Sequence, residues 1–149
     1  MTAIDLLPLN SEGFAGHVSP STVCSHLNNN QNAYLVDVRS KAEWAFVGTP
    51  DVQQAKRRMV FVEWQLFPNM VANENFTSAF STAIPDRDAP IFFLCRSGVR
   101  SQAAAQCMTQ AGYVNCFNVA GGFEGDGDEH GQRGHVNGWK KEGCPWRQS

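Results

Sequence analysis

Ile91–Leu94 reads IFFL, apolar at every position, and runs straight through Cys95 and Gly98 into a stretch rich in Ala and Gln. A short continuous apolar run preceded by Pro90 is the pattern of a strand covered on both faces, as in parallel sheets. Residues 98–111 then place Ala103, Ala104, Cys107, Met108 and Ala111 at helical spacing, with Gly112 as the C-terminal cap. A buried strand that feeds a helix returns to a parallel neighbour, and residues 114–119 supply that next strand. The chain is thereby committed to an α/β architecture with a mostly parallel sheet and helices on both faces.

The rest of the chain repeats this grammar. Ser19 and Pro20 are an N-cap and a first helical position, followed by an apolar face of Val23, His26 and Leu27 and a stop at Asn28-Asn29-Asn30. Residues 33–38 (AYLVDV) predict a buried strand, 41–46 a short helix stopped near Gly48 and Pro50, and 59–62 another strand. Phe76, Ala79, Phe80, Ala83 and Ile84 repeat at helical spacing. Residues 12–18 read as irregular. Beyond Gly121-Gly122 aliphatics are scarce, and Phe123, Trp139, Pro145 and Trp146 predict an irregular tail over 124–149 packed on the domain by its aromatics. With 149 residues the expectation is one domain over 1–149 with its core at about 19–123.

Charge and cysteine usage narrow the function classes. Lys and Arg number 12 against 14 Asp and Glu, a net charge of −2, which argues against a nucleic-acid or membrane-surface role. The first ten residues, MTAIDLLPLN, lack a basic flank and are interrupted by Asp5 and Pro8, so they do not read as a signal peptide. Five cysteines without a CxxC pair predict free thiols in a reducing cytoplasm.

One thiol is placed to react. Cys95-Arg96-Ser97-Gly98-Val99-Arg100-Ser101 lies between a buried strand and a helix N-terminus, at the carboxyl end of the strand, where sites in such sheets form. Successive loop N–H groups and the helix dipole make a nest for an anion and favour a thiolate. Gly98 permits the backbone angles of a tight loop, and Arg96 and Arg100 add two permanent charges. The pattern suits an anionic sulfur and an anionic substrate.

Three segments resemble one known family, the single-domain rhodaneses. Leu35-Val36-Asp37-Val38-Arg39 with Glu43-Trp44 is similar to its strand-and-turn signature, Cys95–Arg100 to its six-residue active-site loop, and Val119-Ala120-Gly121-Gly122 to its final strand and diglycine. The resemblance spans about residues 19–123. It implies a five-stranded parallel fold and a sulfurtransferase activity that needs no cofactor, with Cys95 attacking the outer sulfur of a donor, becoming a persulfide, and passing that sulfur to a nucleophile. Arg96, Ser97, Gly98, Val99, Arg100 and Ser101 would line the substrate, and Asp37 and Arg39 would support the loop.

Loop length and charge choose among relatives. Cysteine phosphatases resemble C-x5-R, but here Arg100 stands one position earlier and Ser101 occupies the sixth place. The shorter loop is too narrow for a tetrahedral phosphate, and the related arsenate reductases resemble the wider-loop group. Mercaptopyruvate-using relatives resemble a neutral loop, whereas two arginines look more like the thiosulfate type, which suits a compact dianion. The expected donor is thiosulfate or a similar anion, and the expected acceptor is cyanide, a small thiol or a thioredoxin-like protein. The alternative is a persulfide carrier or interaction module that delivers sulfur to a partner with little free turnover.

The remaining candidates read more plainly. Asp37 and Arg39 are a structural ion pair at the sheet edge or, for Arg39, a contact to the donor. Ser101 donates to the thiolate or caps the helix. Cys107 and Cys116 are core residues, Cys24 is structural, and Cys144 in the tail is read as exposed. Asp126-Gly127-Asp128 starts like a calcium loop but continues with His130 and Asn137 at ligand positions, and His130, His135 and Cys144 fit no zinc spacing. Lys56-Arg57-Arg58 reads as a solvated basic run or a dock for an acidic partner.

Overall fold

The apolar runs around residues 34–37, 91–94 and 116–119 are extended, and the computed structural model, which describes residues 13–148, gathers them into one sheet. Residues 1–10, read for a leader segment, lie outside the described residues. In chain order the elements are β1 (Gly16–Val18), α1 (Pro20–Asn29), β2 (Tyr34–Asp37), α2 (Lys41–Phe46), β3 (Thr49–Pro50), a short 3-10 helix (Gln53–Arg58), β4 (Met59–Phe61), β5 (Gln65–Leu66), β6 (Val71–Ala72), α3 (Phe76–Ala83), β7 (Ile91–Leu94), α4 (Val99–Gln110), β8 (Cys116–Val119) and β9 (Trp146–Arg147).

The main sheet has five strands in the order β1-β8-β7-β2-β4. Each neighbouring pair in it is parallel. Alternation along the strands sorts side chains onto two faces. Val36, Ile91, Phe93 and Cys116 pack with Phe80 of α3 and with Ala104, Ala105 and Met108 of α4. Leu35, Phe92, Leu94, Phe117 and Val119 pack with Val23 and Leu27 of α1 and with Ala55 of the 3-10 helix. Phe80 stacks on Phe93 at 5.5 Å and meets Tyr113 edge-on at 5.0 Å. Burying each such ring contributes roughly 1.5–3 kcal/mol.

Local signals explain the helix ends. The Ser19 side chain accepts from Thr22 N–H at the start of α1. Ser40 and Glu43 form a reciprocal capping box on α2. Ala111 caps the C-terminus of α4, and Gly112 just beyond it takes a positive φ of +105°.

Several expectations need correction. The stretch read as irregular contains β1, an edge strand whose partner is β8; at three residues including Gly16 it has no apolar pattern of its own, and its extension comes from pairing. Ala79 and Ala83 are exposed, because α3 turns only Phe76 and Phe80, with Ile84 at its cap, toward the core. On α4 the buried stripe is Ser101, Ala104, Ala105 and Met108, one step round from the one expected, and Ala103, Cys107 and Ala111 are only half-buried. Arg58 is not a solvated charge: its guanidinium donates to the carbonyls of Asn30 and Ala33 at 2.7 Å each, and to those of Leu27 and Gln54 at 3.1 Å each. It thereby ties the end of α1 to the start of β2 and to the 3-10 helix. The tail is largely irregular but contributes β9, antiparallel to β3, and places Trp139 fully inside the core. Cys144, expected to be exposed, is buried in that same cluster.

Candidate functional site

β7 delivers Cys95 to the carboxyl edge of the sheet, between β2 and β8, and the chain must turn there to enter α4. Gly98 takes φ +120°, which an L side chain resists, and this turns its N–H onto the cysteine at 3.1 Å from Sγ. One turn into α4, Ser101 places its hydroxyl 3.1 Å from the same sulfur. Both sit at the positive end of α4, so the sulfur faces an N–H, an O–H and the helix dipole together. The thiol is buried, Ser101 is buried, Ser97 and Arg100 are half-buried, and Arg96 and Val99 face outward.

The loop is held from behind by the chain that follows β8. Phe123 N–H donates to Cys95 O at 2.7 Å, and Glu124 and Gly125 N–H both donate to Arg96 O at 3.0 and 3.1 Å. Gly122 makes this approach feasible: a Cβ there would stand 2.5 Å from the carbonyls of Cys95 and Arg96. The diglycine after β8 therefore lets two backbones touch.

Expected site residues divide into three groups. Asp37 and Arg39 pair with each other, with Arg39 Nη2 2.7 Å from Asp37 Oδ2 and both side chains at 0–1% exposure. Arg39 Nη2 also donates to Gly48 O at 2.8 Å, and the guanidinium lies 4.2 Å from the Phe123 ring centroid. Arg100 is committed to Glu43 by two bonds of 2.7 and 2.8 Å. Burial pushes the Glu43 carboxyl up, but the hydrogen bonds and charge of Arg100, with help from Ser40, outweigh it and bring its pKa down to about 2. The same bonds to Glu43 raise the Arg100 pKa against its own burial. Arg96 makes no ion pair among the described residues.

Two members of the site were not singled out in the sequence. Ser101 Oγ also lies 2.5 Å from Asn118 Oδ1, so its single proton serves either that oxygen or the sulfur, and Asn118 Nδ2 donates to Gly98 O at 3.2 Å; one amide thus contacts both the hydroxyl and the loop glycine. The available signal was a lone polar residue in the buried strand CFNV, on the same face as Cys116. Glu43 was noted only in a signature; its place at the third position of a capped helix, level with the loop, makes it the counterion of Arg100.

A five-stranded parallel sheet, a cysteine at the carboxyl end of its central strand and a six-residue loop closing onto a helix N-terminus define a domain of the rhodanese superfamily. More narrowly, the chain belongs to the family described as the STR4 middle domain, which it matches over residues 15–149. An uncharacterized protein of Rickettsia rickettsii, the RP600 homolog, is 41% identical over 136 residues, covering 87% of this chain and 99% of that one. The crystal structure of Rv0390 from M. tuberculosis superposes with a TM-score of 0.80 at 43% identity, covering 91% of this chain and 99% of that one. More distant is a sulfurtransferase of Allochromatium vinosum, 28% identical over 106 residues, 71% of this chain and 82% of that protein. The chloroplastic rhodanese-like domain-containing protein 11 of Arabidopsis thaliana is 36% identical over 66 residues, 44% of this chain and 22% of that protein. Among the described residues, no helix is long and apolar enough to cross a membrane.

Proposed function

We propose that the chain is a sulfurtransferase that moves sulfane sulfur from thiosulfate, or a similar anionic donor, to a thiophilic acceptor through a persulfide on Cys95. The observation that carries the reading is the setting of the Cys95 sulfur, which accepts from Gly98 N–H at 3.1 Å and has the Ser101 hydroxyl 3.1 Å away, its one proton able to turn from Asn118 Oδ1 to a sulfur anion. Both groups can donate to a sulfur anion, whether thiolate or persulfide, and their positions are set before any substrate arrives.

In the first step the Cys95 sulfur attacks the outer sulfur of thiosulfate. The Cys–S bond forms, the S–S bond of thiosulfate breaks, and sulfite leaves with its electron pair. In the second step cyanide or a thiolate attacks the outer sulfur of the persulfide, and Cys95 leaves as thiolate. Two half-reactions sharing one covalent intermediate give ping-pong kinetics. Arg96 is the charge left for a donor, while Arg100, through Glu43, holds the loop. Asp37 and Arg39 support the edge on which the loop rests. The expected setting is a reducing cytoplasm.

A second reading, a persulfide carrier serving a protein acceptor, draws on Val99, an apolar side chain of the loop that is 78% exposed. Exposed apolar groups beside a reactive atom suit docking. Steady-state turnover with thiosulfate and cyanide separates an independent enzyme from a carrier. Both readings are tested by intact mass after incubation with thiosulfate, which is expected to rise by about 32 Da and to return on adding cyanide, as for a covalent intermediate. The Cys95→Ser chain is expected to form no adduct; an adduct on that variant overturns the assignment.

A further inference from the structure

Away from Cys95 the fold brings two other cysteines together. Cys24 lies in α1 and Cys144 in the tail, 120 positions along, yet the fold sets them side by side, near enough for each thiol to bear on the ionisation of the other. A backbone contact fixes the meeting. Ser21 N–H, one turn before Cys24, donates to Glu142 Oε1 at 3.0 Å, two residues before Cys144. On the tail side, Cys144 N–H donates to Trp139 O at 3.1 Å and Trp139 Nε1 donates to Pro145 O at 2.7 Å, so the segment carrying Cys144 is itself anchored by a buried indole. Both cysteines pack in the cluster on the α1 face of the sheet. Cys95, Cys107 and Cys116 all belong to the opposite cluster.

We propose that Cys24 and Cys144 are a second thiol site, oxidised by a hydroperoxide to a disulfide that fastens the chain's tail to α1. The Cys144 sulfur attacks the peroxide, the O–O bond breaks, and water leaves, giving a sulfenic acid. The Cys24 sulfur then attacks the Cys144 sulfur, the S–O bond breaks, and a second water leaves. The two thiol protons end in the two waters, and the two electrons reduce the peroxide.

The roles follow from the contact. Cys24 keeps its proton, its pKa raised first by the hydrogen bond to Cys144 and then by burial, and so acts as the donor. That bond lowers the Cys144 pKa against the cost of its burial, which makes Cys144 the better nucleophile of the two. Closing the bond requires the two side chains, brought into one cluster beside the Ser21–Glu142 contact, to reach disulfide geometry. The consequence reaches the loop. The tail contacts Cys95 and Arg96 through Phe123, Glu124 and Gly125, and Trp139 N–H donates to Gly122 O at 2.8 Å. A tail fixed at Cys144 is fixed on the segment that backs the reactive cysteine.

The test uses the full chain treated with hydrogen peroxide, alkylated, and digested with trypsin without reductant. Cleavage at Arg39, Lys141 and Arg147 leaves Cys24 in a peptide of residues 1–39 and Cys144 in one of residues 142–147. The expected product is these two peptides joined and separated again by dithiothreitol. The Cys95→Ser chain is expected to give the same link, so the outcome does not depend on the reaction proposed for Cys95. In that variant the oxidised form is expected to unfold at a higher temperature than the reduced form. Recovery of Cys24 and Cys144 as alkylated free thiols from peroxide-treated chain overturns the proposal. So does a link that forms only in urea-unfolded chain, or one that joins Cys144 to Cys95 in place of Cys24.

Discussion

Two arginines stand at the Cys95 loop, each with its own carboxylate, in different surroundings. Arg39 and Asp37 lie under the sheet edge at 0% and 1% exposure, while Arg100 and Glu43 lie at its rim at 17% and 19%. Under the edge no water compensates for either charge. Geometry does: two nitrogens of Arg39 bind Asp37, one of them also binds a backbone carbonyl, and the ring of Phe123 takes the guanidinium face. Arg39 Nη1 has no hydrogen-bond partner among the described residues, so the pair is not ideally solvated even by the protein. Such a pair stabilises little against an apolar replacement, yet removing one member is costly. At the rim the Coulomb gain is screened, but the bond reaches directly from α2 to the first turn of α4. The inner pair sets whether the edge folds, and the outer pair sets how the loop is held.

The sharpest way to break this comparison is to halve the inner pair. Arg39→Ala is expected to lose about 3–5 kcal/mol in urea unfolding, because Asp37 is left buried and uncompensated. The double variant Asp37→Leu with Arg39→Leu is expected to lose markedly less than the single one. If Arg39→Ala unfolds within about 1 kcal/mol of the parent, the edge does not depend on the pair as described.

The outer pair is expected to give a smaller loss, about 1 kcal/mol for Glu43→Gln at neutral pH. It adds a pH signature. Glu43 has a folded pKa of about 2 against 4.5 for a free carboxyl, so its contribution is fully present above about 4.5 and is lost as pH falls through about 2. Melting temperature between those limits is expected to fall less steeply in Glu43→Gln than in the parent. Since the pair positions the loop without facing the donor, Glu43→Gln and Arg100→Ala are expected to lower kcat/KM for thiosulfate and mercaptopyruvate in equal proportion. Parallel acid limbs, or a changed donor ratio, would assign Arg100 to the donor.

How much of this was legible depends on the range over which each feature is decided. β7 and α1 declare themselves through an apolar run and a Ser-Pro start, and α2 through the Gly48 and Pro50 that stop it, all settled within a few residues. The position of Cys95 follows from the order strand, glycine, helix. The partners of that loop do not. Arg100 meets Glu43 across 57 positions and Ser101 meets Asn118 across 17, and nothing local distinguishes these from other polar residues. β1 and β9 are too short to carry a pattern and exist as ladders to β8 and β3. The α4 stripe was read one step round because Ser101, a polar residue, occupies a buried place that packing alone would give to an apolar one; the sulfur and Asn118 supply what a core cannot.

Arg96 is the limiting case of the comparison, a loop arginine with no carboxylate partner among the described residues and an exposed side chain. Removing a solvated, unpaired charge leaves nothing buried behind it, so Arg96→Ala is expected to change unfolding stability by less than about 0.5 kcal/mol. On the proposed reaction, its effect is expected on the donor instead. Thiosulfate carries its charge next to the sulfur that is transferred, while mercaptopyruvate carries it on a distant carboxylate, so a cation at the loop favours the first. Exposure screens that charge, which holds the expected loss to roughly 10-fold in kcat/KM for thiosulfate, equivalent to about 1.4 kcal/mol, with a smaller loss for mercaptopyruvate. Arg96→Lys is expected to recover part of the loss, since the charge remains and the planar fork does not. Raising ionic strength is expected to narrow the gap between parent and Arg96→Ala. A stability loss as large as that of Glu43→Gln would mean Arg96 also holds the loop. An unchanged donor ratio would leave this protein with two arginines that build the site and none that reads the substrate.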